Sequence, residues 1–168
     1  MQDPGALYRP PVTKFLLAVH VIAAILAIGP VAVAASMFPP AARRALTTGP
    51  GDDSHGHGTP DPTPTLAVLH RICRVYAVVG VVVPVFGFAT ASEMGVLGSA
   101  WLIASIVLTA LAALVLAALI LPAQSALLEG SAGAGRTARL AMVTGLFNLL
   151  WAAVTVLMIV RPGSTTGA

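Results

Sequence analysis

The sequence predicts an all-α, polytopic membrane protein. It reads as one domain over residues 1–168, an antiparallel bundle of four transmembrane helices. Three observations carry this. The chain has 168 residues, room for one domain. Apolar residues make up 57% and charged residues 9%, where soluble domains carry about 25% charged residues. The mean hydropathy of +0.92 points to lipid as the main solvent. Such a composition cannot cover a soluble surface. It also excludes disorder, which needs low hydrophobicity and high charge.

Four apolar stretches supply the helices, with spans at about 14–38, 68–91, 100–121 and 139–160. Each is near the ~20 residues needed to cross ~30 Å of hydrocarbon. The first run, from Phe15, is longer than the h-region of a signal peptide, so it reads as an uncleaved span. The second apolar run, Val75–Ala91, is the shortest and extends back through Leu66–Arg74 as an interfacial lead-in. Residues 39–65 hold Pro, Gly, Thr and Asp without periodicity and read as an irregular loop. Ser92–Ser99 reads as a tight turn, and Gly130–Gly135 as a flexible hinge.

Charge sets the orientation. The first and third loops, with the helix lead-in, hold Arg43, Arg44, Arg71, Arg74, Arg136 and Arg139. The other side holds Arg9, Lys14 and Arg161. This bias puts those loops inside and both termini outside a bacterial inner membrane. No basic run interleaves with aromatics, so nucleic acid is not an expected partner. Cys73 is the single cysteine, which excludes an intrachain disulfide.

The apolar stretches Val75–Ala91, Trp101–Leu121 and Leu140–Val160 carry no Asp, Glu, Lys, Arg or His. Ionisable groups at depth mark proton relays and ion pathways. Their absence argues against a proton-coupled transporter and an intramembrane aspartyl protease. It also argues against a serine protease, since His20 is the only base at depth and no glycine-flanked serine motif faces it.

His20 has two open readings. One is a neutral imidazole hydrogen-bonded to another helix, with Ala23, Ala24 and Ala27 permitting close approach. The other is a ligand to haem or a metal. His70, Arg71 and Arg74 form an interfacial cluster, in which His70 and Arg74 share a face. It serves either lipid head groups or recognition of an anionic group. His55 and His57, beside Asp52 and Asp53, read as incidental loop residues or a weak metal site. Pro30 and Pro84 free the carbonyls of Leu26 and Gly80 and bend their spans. Thr144, Asn148, Trp151 and Thr155 follow i, i+4, i+7, i+11 and form one polar stripe. Asn148 needs a partner in hydrocarbon, and Ser105 and Thr109 are the expected opposite numbers.

Phe15-Leu16-Leu17-Ala18-Val19-His20 with Gly29-Pro30 resembles the first helix of a group of small bacterial four-span membrane proteins. Leu69-His70-Arg71, Arg74-Val75-Tyr76 and Gly87 are similar to their second helix. The group is loosely related to the copper-resistance-D-like proteins and the haem-dependent protoporphyrinogen oxidases. The resemblance covers the spans and implies a four-helix fold. In the haem-dependent relatives a first-helix histidine ligates haem, and His20 is the matching position. Those relatives also use a lysine deeper in the bundle, which this chain lacks. A second resemblance, in size and span number, is to accessory subunits of respiratory oxidase assemblies.

The expectation is therefore a non-catalytic integral-membrane subunit or accessory protein of a larger complex, with the bilayer and other membrane subunits as partners. The alternatives are a haem- or metal-binding protein using His20, and a carrier of small molecules or lipid.

Overall fold

The bilayer asks each span to satisfy its own backbone, and this chain does so with helices alone. The computed structural model describes residues 11–47, 62–130 and 133–163, and among them there is no strand. The helices are α1 (Pro11–Thr47), α2 (Pro62–Val79), α3 (Val82–Glu93), α4 (Ala100–Leu114), α5 (Leu121–Leu128) and α6 (Ala134–Val160). A π-helical turn, Val115–Ile120, joins α4 to α5. Four helical units are long and apolar enough to cross a membrane: Pro11–Thr47, Thr63–Glu93, Ala100–Leu128 and Gly135–Val160. This is the character of a multi-pass membrane protein. α1 packs along α2, α3 and α6, α4 packs on α6, and α2 meets α5.

Three boundaries differ from the sequence expectation. First, the stretch expected as a loop from residue 39 is helical to Thr47, and α2 begins at Pro62. Pro39 and Pro40 leave two helical bonds unmade, at the carbonyls of Ala35 and Ser36. The helix survives because its packing outweighs that loss: Phe38, Pro39 and Ala42 are buried. Phe38 and Ala42 share one apolar cluster with Leu66, Leu69 and Cys73 of α2. At 37 residues α1 is about 55 Å long, well beyond ~30 Å of hydrocarbon.

Second, the second span is a broken rod. Pro84 has no N–H to give to the Gly80 carbonyl, which takes a bond from the Val83 N–H at 3.2 Å. The Val81 N–H bonds to the Val78 carbonyl at 3.1 Å. The axis bends at Gly80, where a Cβ would lie 3.1 Å from the Tyr76 carbonyl oxygen.

Third, the third span runs seven residues past its expected end at 121 and reaches Leu128. In the π turn the Leu121 N–H reaches back to the Leu116 carbonyl, five residues away. One extra residue in a helical turn rotates all that follows by about 100°. Pro122, which cannot bond to residue 118, sits just after this wider turn.

The ends of the bundle are pinned differently. α3 closes in a Schellman motif: Val96 N–H to Ala91 O, Gly95 N–H to Ser92 O, with Gly95 at φ 65°. α6 ends at Arg161, a non-glycine residue at φ 45°. Its Nε donates to the Met158 carbonyl at 3.2 Å. Its guanidinium lies 5.5 Å over the Trp101 ring. That cation–π contact offsets part of the ~1–2 kcal/mol cost of the left-handed residue.

The main core is a stripe on α1 (Val31, Ala34, Ala35, Phe38, Ala42) closed by α2, the π turn and Leu140 and Phe147 of α6. Phe38 is completely buried. Phe38→Ala is expected to cost roughly 3–5 kcal/mol. A thermal midpoint in micelles that matched the wild type would contradict this placement of the core.

Candidate functional site

The polar side chains of the spans meet at three separate seams. The first joins α1 to α3. His20 Nδ1 lies 3.0 Å from the Val83 carbonyl oxygen. A carbonyl only accepts, so Nδ1 carries the hydrogen and donates. The ring lies flat enough on α3 that a Cβ at Gly87 would come within 3.0 Å of His20 Cε1. Glycine at 87 is thus what lets the imidazole approach the Val83 carbonyl. The cross-helix bond is the first of the two readings that the sequence left open.

The second seam joins α2 to α5. His70 Nδ1 donates to Gln124 Oε1 at 3.1 Å, and Gln124 Nε2 donates to Cys73 Sγ at 3.6 Å. With Nδ1 protonated, His70 Nε2 accepts from the Ser125 hydroxyl at 3.5 Å, a long bond. Gln124 and Cys73 are fully buried. Both ends of the amide therefore have partners, which an apolar interior demands. Arg71 and Arg74 are exposed, while His70 is half-buried against Gln124. The expected cluster of three is thus divided between the bundle interior and the outside. The i, i+4 spacing puts His70 and Arg74 on neighbouring positions, but the histidine finds a neutral partner inside and the arginine keeps its charge solvated.

The third seam joins α1 to α6. Asn148 Nδ2 donates to Ser36 Oγ at 3.0 Å, and Ser36 Oγ donates to the Ala32 carbonyl at 2.6 Å. The residues expected to answer this stripe, Ser105 and Thr109, are not the hydrogen-bond partners of Asn148. Ser105 bonds back to Trp101 O at 2.8 Å and Thr109 to Ser105 O at 2.7 Å. These hydroxyls satisfy themselves on the carbonyl one turn earlier, whereas the Asn148 amide bonds across to α1. Thr155 is exposed and likewise bonds to Trp151 O, at 2.9 Å. Trp151 meets Phe147 edge-on, with ring centroids 6.3 Å apart.

Two cavities lie along these seams. One of about 130 Å³ is apolar and central, bounded by the Gly80–Pro84 bend, Tyr76, Thr109 and Trp151. The bend at Pro84 shapes it, while Pro30 is not on its wall. The other, about 210 Å³, opens between α1 and α6 and is lined by Ser36, Pro39, Pro40, Arg43, Ala141, Thr144, Gly145 and Asn148. Thr144 Oγ1, Asn148 Oδ1 and Trp151 Nε1 are buried and have no hydrogen-bond partner among the described residues.

No group of three or more His, Cys, Asp or Glu side chains able to hold a metal occurs among the described residues. His55 and His57 lie outside those residues. Gln124, Ser36, Gly87 and Arg43 were missed as site residues. Gln124 was hidden because Pro122 reads as a terminator, which assigned the residues after it to a loop.

No protein-family model, no curated protein and no solved structure matches this chain. The resemblance drawn from its first two spans rests on those short motifs alone.

Gln124→Leu removes both ends of the α2–α5 link and strands the His70 N–H. The expected cost is roughly 1–3 kcal/mol. The variant should also open the seam, so that a maleimide reacts with Cys73 several-fold faster than in the wild type. Because Cys73 is the sole cysteine, the labelling rate reports on this seam alone, and an unchanged rate would count against the network.

Proposed function

We propose that this chain is a non-catalytic integral-membrane subunit of a larger membrane complex, with a respiratory oxidase assembly as one candidate host. The observation that carries the reading is the dispersal of its polar groups. His20 meets Val83, His70 meets Gln124, and Asn148 meets Ser36, each on a different pair of helices. A reaction centre needs acid, base or ligand groups converging on one point. Here each group is spent holding two helices together.

The same contacts support an antiparallel bundle. On α1, His20 adjoins Val83 of α3, while Phe38 and Ala42 cluster with Leu66 and Leu69 of α2. Arg161 at the end of α6 meets Trp101 at the start of α4. This arrangement gathers Arg43, Arg44, Arg71, Arg74, Arg136 and Arg139 at one end. By the charge bias that end lies inside a bacterial inner membrane, and both termini lie outside.

One observation favours a second reading, ligation of haem or a metal by His20. A ligating imidazole usually donates its other N–H to a carbonyl or carboxylate, and His20 does so to Val83. The fit ends there. His20 lines neither cavity, and it belongs to no group of three or more His, Cys, Asp or Glu side chains among the described residues. A carrier finds little support either, since small-molecule pockets run to about 300–1,000 Å³ and the central cavity is about 130 Å³.

Gentle solubilisation from native membranes, followed by protein mass spectrometry and a visible spectrum of the same sample, separates these readings. The subunit reading expects companions at fixed stoichiometry. A lone, stable polypeptide without companions would overturn it. A Soret band on the isolated chain that disappears in His20→Ala would install the second reading in its place.

A further inference from the structure

We propose that the notch between α1 and α6 binds an anionic glycerophospholipid. The site stands on an observation separate from the subunit reading. Thr144 is only 3% exposed, and its hydroxyl has no partner among the described residues. It lines a notch of about 210 Å³ whose wall also carries Asn148, Ser36 and Arg43. A hydroxyl in a helix normally bonds to the carbonyl one turn back, as Ser105 and Thr109 do here. Leaving Thr144 Oγ1 and Asn148 Oδ1 unpaired in an apolar span is costly. A ligand that both accepts and donates hydrogen bonds removes that cost.

Charge selects the ligand class. Arg43 is exposed and lies on the notch wall. Arg71, Arg74, Arg136 and Arg139 are exposed elsewhere on the described chain. The described carboxylates are Glu93 and Glu129 only, and neither lines the notch. An anion is therefore favoured, and basic pockets between membrane helices are suited to phosphate head groups. The guanidinium of Arg43 supplies charge-assisted donors for the phosphodiester. Thr144 and the second N–H of Asn148 supply neutral donors for an ester or head-group oxygen. Asn148 Oδ1 accepts from a head-group hydroxyl, which makes a glycerol head group a better match than choline.

Size agrees. The notch equals the volume of about seven waters at ~30 Å³ each, and it is smaller than a typical small-molecule pocket. It has room for a head group. The apolar remainder of the ligand stays outside, and a lipid already has its chains in the bilayer.

The test is native mass spectrometry of the full chain released from micelles doped with phosphatidylglycerol or phosphatidylcholine. The expected result is one retained phosphatidylglycerol, with at least about tenfold preference over phosphatidylcholine. Arg43→Gln should reduce retention about tenfold and Thr144→Val about threefold. Lys14→Gln, an exposed cation at the opposite end of α1, should leave it unchanged. Arg43 is exposed, so its replacement keeps the fold, which a matched thermal midpoint verifies. Three results would each overturn the proposal: equal retention of the two lipids, equal loss in the Arg43 and Lys14 variants, or displacement of the lipid by millimolar glycerol phosphate, which would make this a free-anion site. Retention of a polypeptide in place of lipid, lost in Thr144→Val, would overturn it as well and assign the notch to a partner helix.

Discussion

Hydrocarbon offers no hydrogen bonds, and the rest of this structure follows from that. Every polar atom inside a span must find its partner in the protein, in another molecule or nowhere. The chain meets the demand in three ways. Its backbone is helical. Its serines and threonines bond back to their own helices at Ser105, Thr109 and Thr155. Its larger polar side chains cross to a neighbour. Thr144 and Asn148 are among the places where the demand is left partly unmet, and they are the two that share a notch.

The three crossings also specify the packing. Apolar contact alone discriminates poorly between helix arrangements in lipid, because the chains of the bilayer are as apolar as leucine. A bond between His20 and the Val83 carbonyl, or between His70 and Gln124, fixes which faces meet and at what depth. Small residues then let the surfaces close: Gly87 under the imidazole, and Ala34, Ala35 and Ala42 along the core stripe of α1.

Much of the fold was legible in the sequence because hydropathy over ~20 residues is a strong signal. The four spans, the bend at Pro84, the cross-helix bond of His20 and the need of Asn148 for a partner were all readable from residue type and spacing. What failed was local punctuation. Pro39, Pro40 and Pro122 read as stops, yet all three lie in helices. Proline removes one bond, while Phe38 and Ala42 on one side, and Gln124 and Leu127 on the other, gain buried neighbours. The site was less legible than the fold. Which helix answers Asn148 depends on the relative depth of α1 and α6, and no periodicity encodes that. The link from His70 to Gln124 depends on a π turn, which composition does not reveal.

That turn has a consequence for descent. Between Leu114 and Leu121 the chain carries one residue more than a regular helix would need to cover the same rise. A homologue with an unbroken third span would be one residue shorter here, and pairwise alignment against it would require a gap within a stretch that looks uninterrupted. Without that gap, Gln124 would be matched to a position facing another direction, and its kinship with a buried amide elsewhere would pass unnoticed.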